Sequence, residues 1–444
     1  MDETDREDSS AVERASDWIV SHFSWSVAAI ALMSLALRLT YLVVAGSRTS
    51  NDGTFYHEVA GSIADGRGYE YLGVPTAYHP PAWPVLLAVG SRVGLRSVYA
   101  HQVIASMVGV TTVVLVAIVA RRLAGPRAGL IAAALAGVFP GLWMYEHALA
   151  AETLAIPMTA VILLLAYRLM ERVDLRRGFA LGVGIGVLAL VRSEQLVLVV
   201  VLAIPIVVIA RHVDLRRALM CLVAVAVGAL LVISPWFLYN VGRFDHPVLL
   251  STQLGALLIE SNCDRTYAGS ELGYFDIRCN FQDSLSAKRV RPSGDPTSLD
   301  LAFRADAMHY VRRHLGRLPV VVLAREARVL GLFHPSQQVR LDGTRSDAWV
   351  VWAAFVGFWI LVPAAAFGTV TLRRRRVRTL PLWAIIGIVF GLVAVTFGFT
   401  RFRAPADVAI LILAGVGLDA LLSHVSGRSF TDDRDQSAVD AVNA

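Results

Sequence analysis

Residues 178–210 read GFALGVGIGVLALVRSEQLVLVVVLAIPIVVIA, two apolar pieces separated by Arg192, Ser193, Glu194 and Gln195. Each piece is short for a bilayer crossing, because a hydrocarbon core of about 30 Å takes roughly 20 helical residues. The reading of this stretch decides the topology of the whole chain. Taken as one long helix, it would put Arg168, Arg172, Arg176 and Arg177 on one face and Arg211, Arg216 and Arg217 on the other. Taken as a hairpin that turns at Arg192, it puts both groups on one face. Two further arginine-rich turns then share that face, one with Arg121, Arg122 and Arg127, the other with Arg373, Arg374, Arg375, Arg376 and Arg378. Short cytoplasmic loops concentrate Arg and Lys, so the hairpin preserves the bias and the single helix destroys it.

Working outward, apolar runs centre on residues 26–45, 98–120, 129–145, 153–169, 178–191, 196–210, 218–238, 348–370, 381–399 and 407–422. The chain has 444 residues, 56% hydrophobic and only 17% charged, with mean hydropathy +0.58. That balance excludes a water-facing globule of this size. The expected fold is an all-α polytopic membrane protein of about ten transmembrane helices occupying residues 18–423. Both termini are expected on the cytoplasmic side of a plasma or inner membrane, as disordered tails over residues 1–17 and 424–444. The first tail, MDETDREDSSAVERASD, is acidic, and the apolar run after it lacks a small-residue cleavage site, which argues for a retained span rather than a signal peptide.

Two larger segments, residues 46–97 and 239–347, then fall outside the cytoplasm. In the first, residues 54–65 read as a helix lying on the membrane, and Pro80-Pro81-Ala82-Trp83-Pro84 breaks the chain before a second surface helix. In the second, residues 301–332 read as helical. Cys263 and Cys279 share this segment, where a disulfide can persist or two free thiols can remain, while Cys221 lies in an apolar run. The net charge of +6 sits in topogenic turns, so nucleic acid is not an expected partner, whereas membrane lipids are.

Ionisable groups at hydrocarbon depth cost roughly 2.5–3.5 kcal/mol each on insertion scales, so their placement is informative. They gather at the outer ends of the spans: Asp52 and His79 in the first outer segment, Glu146, His147 and Glu152 between the third and fourth runs, Arg192 and Glu194 at the hairpin, and Arg401, Arg403 and Asp407 in the turn TRFRAP. Arginines in so short an outer turn call for an anionic partner. A phosphate at the interface suits the guanidinium fork, and an ion pair to Asp407 or Glu152 is the alternative. Asp52 fits either an N-cap, which spacing alone favours, or a general base facing an acceptor hydroxyl. Glu152 fits the helix dipole at the start of its span. His57, Glu58 and His79 show no metal-ligand spacing, and Gly182-Val183-Gly184-Ile185-Gly186 lies inside a span, where close helix packing explains it better than a nucleotide site. No metal or cofactor is expected.

The order of these features resembles the GT-C superfamily of glycosyltransferases, in particular bacterial relatives of protein O-mannosyltransferases and of the lipid A aminoarabinose transferase. The residues that carry the resemblance are Asp52 with Tyr56 and Ala60, Ala64-Asp65-Gly66-Arg67-Gly68-Tyr69, Pro75-Thr76-Ala77-Tyr78-His79-Pro80-Pro81, Glu152, Arg192, Pro235-Trp236 with Tyr239-Asn240, and Arg401-Phe402-Arg403-Ala404-Pro405. The resemblance implies inverting sugar transfer from a polyprenyl monophosphate donor to a lipid, glycan or protein acceptor on the extracytoplasmic face. It implies Asp52 as catalytic base, Arg401, Arg403 and Arg192 as donor-phosphate ligands, and Tyr56, His79 and Glu152 as supporting residues. Protein mannosyltransferases often carry Glu directly after the Asp; Gly53 stands there in this chain, which leaves lipid glycans and cell-wall polysaccharide open as acceptors. A transporter or flippase of a lipid-linked or anionic substrate is the competing reading, and it would place polar groups at the bilayer midplane. A scaffold with a decayed site is a third.

Overall fold

The computed structural model describes residues 20–209, 214–280, 294–342 and 346–425. The tail expected over residues 1–17, and nearly all of that expected over 424–444, lie outside the described residues. All ten apolar runs are helical, but they are not ten equal spans. Among the described residues, six helices are long and apolar enough to cross a membrane: α1 (Phe23–Ala45), α4 (Val98–Ala124), α7 (Glu152–Glu171), α10 (Leu215–Asn240), α15 (Ala348–Arg374) and α17 (Ala404–Val425), whose apolar stretch extends back through the Thr400–Arg403 turn. A seventh crossing is the pair α5 (Pro126–Val138) and α6 (Pro140–His147), bent by 41° where Pro140 interrupts the helix. The expected count of about ten therefore resolves into six or seven long spans, with α8 (Leu175–Ala189), the segment Ser193–Ile209 containing α9 (Ile204–Ile209), and α16 (Leu380–Val395) shorter than a full crossing.

The hairpin reading of residues 178–210 agrees with the packing of α8 and α10, which run side by side in the same direction, with Gly178 against Cys221, Gly182 against Val225 and Gly186 against Ala229. Side-chain pairs gather the remaining arginine-rich turns at that end. Glu171, at the end of α7, pairs with Arg122 at the end of α4 and with Arg177 at the start of α8. Tyr167 donates to the Arg378 carbonyl (3.2 Å), and Arg127 pairs with Asp419 of α17 (3.2 Å). The arginine-rich turns thus meet at one end of the bundle. Arg192 and Glu194 sit at the other, and the 20 residues of α7 separate the two ends by roughly 30 Å.

Small residues let the helices close. A Cβ on Gly182 would lie 2.0 Å from the Val225 carbonyl oxygen of α10, one on Gly186 would lie 2.9 Å from that of Ala229, and one on Gly178 would meet Cys221 at 2.7 Å. The glycine run in α8 is a packing seam, as its position inside an apolar helix implied. The same device sets α17 against α15, where a Cβ on Gly368 or Gly417 would strike a carbonyl of the other helix at 1.9 or 2.0 Å.

The outer segments cap the end away from the arginine turns. In the first, α2 (Asn51–Ala64) begins at Ser50, and a two-residue hairpin turn at Leu72 and Gly73, both with positive φ, joins Glu70–Tyr71 to Val74–Pro75. The helix α3 (Ala82–Arg92) starts inside the expected proline break, since Pro84 is tolerated in a first turn. Its Trp83 is fully buried and donates to the Leu149 carbonyl (2.9 Å). The second outer segment carries α11 (Leu254–Ser261), the Cys263–Cys279 disulfide, α12 (Pro296–Arg313), α13 (Leu318–Val329) and α14 (Pro335–Asp342). Residues 301–332 therefore form two helices broken near His314 rather than one. Arg325 and Arg328 of α13 are buried and donate to the carbonyls of Ser261, Ala394, Leu272 and Ser270, which braces the segment against the bundle.

Candidate active site

Ser50 caps α2, accepting from the Gly53 amide (3.0 Å) and donating to the Ala148 carbonyl (3.0 Å). The capping role that spacing assigns to Asp52 is therefore filled two residues earlier, because the helix starts at Asn51 rather than near Thr54. Asp52 is free to turn toward the bundle. Gly53 has its own cause: a Cβ there would sit 2.1 Å from the Ala148 oxygen, so no glutamate fits at this position without moving the backbone.

Asp52 accepts from Arg401 (2.6 Å), and Arg401 also donates to Glu152 (2.8 Å). Glu152 in turn accepts from Arg192, which reaches Glu194 as well. Four separate elements, the start of α2, the start of α7, the hairpin turn and the Thr400–Arg403 turn before α17, supply this chain of alternating charges. Glu152 is 1% exposed and lies behind the two guanidinium groups. Arg192, Arg401 and Asp52 face a cavity of about 910 Å³. The ion-pair reading of the outer arginines holds for Arg401 with Glu152 and for Arg403 with Asp407 (2.9 Å).

Arg403 does not share the cavity, which corrects its expected grouping with Arg401. It is buried, packs its guanidinium 3.7 Å from the Phe358 ring centroid and donates to the Val329 carbonyl (3.3 Å). Arg403→Ala should act on stability, costing about 3–5 kcal/mol for an orphaned buried Asp407, with no change in donor dependence. Thermal unfolding alongside a donor titration checks both halves of that expectation.

Tyr56 and His79 line the cavity. His79 sits 3.9 Å from Asp52 and is packed by the rings of Phe55, Tyr56 and Tyr78, each 4.9 Å away between centroids. Burial, opposed in part by Asp52, lowers its pKa to about 4, so it is a neutral hydrogen-bonding group at neutral pH. Burial and then Asp52 hold the Tyr56 hydroxyl well above its usual range. It therefore stays protonated beside the carboxylate.

The second outer segment adds cavity residues that sequence reasoning missed: His246, Gln253, Glu260, Asp300 and Arg304. Burial, reinforced by Asp276 and Asp52, pushes the Glu260 carboxyl up to about 7. Its place in the apolar run LGALLIES was the available signal. The apolar wall comes from Leu392 of α16 with Phe397, Phe399 and Phe402 beyond its end, and Arg192 lies 5.3 Å over the Phe402 ring. Among the described residues, no group of three or more His, Cys, Asp or Glu is arranged to hold a metal ion.

Comparison of the whole chain with solved structures defines the fold class. The archaeal oligosaccharyltransferase AglB from Archaeoglobus fulgidus, in complex with an inhibitory peptide and a dolichol-phosphate, superposes with TM-score 0.55 at 12% identity, over 92% of this chain and 51% of that one. The apo oligosaccharyltransferase of the same organism gives TM-score 0.53 at 15% identity, over 90% and 51%. ArnT from Cupriavidus metallidurans bound to undecaprenyl phosphate covers 92% of this chain and 79% of its own at 16% identity, with a lower TM-score of 0.42. This chain spans about half the length of the oligosaccharyltransferases, with which it shares the fold of a multi-pass helical membrane protein. At the level of sequence, the family described as dolichyl-phosphate-mannose-protein mannosyltransferase matches residues 78–239, a stretch that includes His79, Glu152 and Arg192 and stops short of Asp52 and Arg401. No curated protein matches the chain.

Proposed function

We propose that this protein is an integral membrane glycosyltransferase that moves a sugar from a polyprenyl monophosphate carrier to an acceptor hydroxyl, with inversion at the anomeric carbon. One observation carries the reading: a carboxylate, Asp52, and two guanidinium groups, Arg401 and Arg192, face one cavity that also has an apolar wall. The arrangement supplies a proton acceptor and a phosphate cradle side by side, with a surface for a lipid tail next to them. The positive-inside tendency puts the arginine-rich turns in the cytoplasm, and so puts the cavity on the extracytoplasmic face.

The acceptor oxygen attacks the anomeric carbon as the bond from that carbon to the phosphate oxygen breaks. Asp52 takes the hydroxyl proton, and polyprenyl phosphate leaves with the bonding electron pair. Arg401 and Arg192 stabilise the charge that develops on the phosphate, in a site held ready before the donor arrives. Their present pairing with Asp52 and Glu152 keeps both guanidinium groups oriented. When the donor phosphate takes a share of Arg401, Asp52 is released to act as base. Tyr56 and His79 hold the Asp52 side of the cavity as neutral hydrogen-bonding groups.

The test is to supply the purified protein in lipid nanodiscs with a panel of polyprenyl phosphate sugars and candidate acceptors, and to identify products by mass spectrometry. Consumption of one donor with appearance of a glycosylated acceptor is the expected result. Movement of an intact lipid-linked substrate across the bilayer, with no bond broken, would instead establish a transporter.

A further inference from the structure

We propose a second, non-catalytic site at the opposite end of the bundle: an interhelical cleft that binds the headgroup and upper acyl chain of an anionic phospholipid. The cleft has a volume of about 330 Å³ and lies between the end of α7, the end of α9 and the turn joining α15 to α16. Met170, Ile206 and Ile209 form its apolar walls, and Arg373, Arg376 and Arg378 surround its mouth. The depth is graded, from exposed arginines at the rim to Ile206, only 1% exposed, at the base.

Two observations separate this turn from an ordinary topogenic one. Each of the other arginine-rich turns at this end carries arginines paired with carboxylates: Arg122 and Arg177 pair with Glu171, Arg172 with Asp174, Arg127 with Asp419, and Arg217 with Asp214. Among the described residues, Arg373, Arg376 and Arg378 have no carboxylate partner. The turn is also held in a specific shape. Arg376 adopts a positive φ of 59°, the Val377 amide donates to the Leu372 carbonyl (2.9 Å), and Tyr167 holds the Arg378 carbonyl from α7 (3.2 Å). Three guanidinium groups over an apolar slot, at the level where helices end and headgroups begin, complement a phosphate ester attached to a hydrocarbon chain. Free phosphate would satisfy the rim and leave the slot empty.

Native mass spectrometry of the purified full-length protein, delipidated and then titrated with phosphatidylglycerol, phosphatidylcholine or inorganic phosphate, tests the proposal. Wild-type protein should retain phosphatidylglycerol in preference to phosphatidylcholine, and millimolar phosphate should not displace it. Arg376→Gln/Arg378→Gln, which keeps Arg373, Arg374 and Arg375 for topology, should lower retention roughly tenfold or more, since each arginine near an anionic surface contributes on the order of one factor of five to ten. Ile209→Trp fills the slot with every charge kept and should lower retention as well, so it decides the matter if the double variant does not insert. Arg172→Gln, at an arginine paired with Asp174 and outside the cleft, should bind as wild type. Equal retention of the two lipids, ready displacement by phosphate, or wild-type binding by the Ile209→Trp protein would overturn the site.

Discussion

Asp52→Asn should reduce sugar transfer by roughly 10²–10⁴-fold, the range that a positioned general base contributes, while expression, membrane insertion and thermal stability stay close to wild type. The clean separation follows from the cap. Ser50, not Asp52, satisfies the first amides of α2, so the substitution leaves the helix start intact. An asparagine oxygen can still accept from Arg401 at the 2.6 Å position, and Arg401 retains Glu152. What is lost is the capacity to take a proton. Turnover measured with saturating donor and acceptor in nanodiscs decides the question, and near-normal rates would remove Asp52 as the base.

Arg401→Ala should be damaging in two ways, to the fold as well as to the rate. Arg401 is the hub of the charge chain, joined to both Asp52 and Glu152 and only 9% exposed. Its loss leaves Asp52 without its guanidinium partner and Glu152 with Arg192 alone, at a cost of about 3–5 kcal/mol typical of a broken buried pair. It also removes a preorganised donor to the leaving phosphate, a change that typically lowers the rate by roughly 10²–10³-fold. Arg401→Lys should recover part of the stability and little of the rate, because an ammonium supplies charge without the fork that spans two oxygens. A lysine variant with full activity would mean that Arg401 serves the fold and not the donor.

The gathering of the arginine-rich turns at one end of the bundle was legible in the sequence because it rests on one-dimensional signals. Arginine-rich turns and the break at Arg192 are local, and the hairpin they call for agrees with the parallel packing of α8 against α10. The polar groups at the outer span ends were legible for the same reason. Asp52, Glu152, Arg192 and Arg401 are all there, and the structure brings them into one connected cluster.

What was not legible depends on angles and on distant partners. Arg401 and Arg403 stand two residues apart and read as a pair, but they lie on a 3₁₀ turn of three residues per turn, which points them roughly 120° apart. One faces the cavity, and the other turns to Phe358 and Asp407. The cap assignment failed through a shift of about three residues in the helix start, the kind of boundary that sequence pattern fixes poorly. Glu260, Asp300 and Arg304 reach the cavity from a segment some 200 residues beyond Asp52 with no motif of their own. Arg325 and Arg328 lie in a stretch that reads only as helical, yet both are buried as braces between backbone carbonyls. The count of long spans is below ten because apolar runs mark where the chain is buried, whether in lipid or against other helices, and α8 and α16, at 15 and 16 residues, are shorter than a full crossing.

An experimental structure of the protein with a polyprenyl phosphate bound is the most direct test of the central claim. The account predicts phosphate density within hydrogen-bonding distance of Arg401 or Arg192, the lipid tail along Phe397, Phe402 and Leu392, and Asp52 exposed toward the position of the sugar. A phosphate seated on Arg403, or one that leaves Asp52 sealed from it by intervening protein, would contradict it.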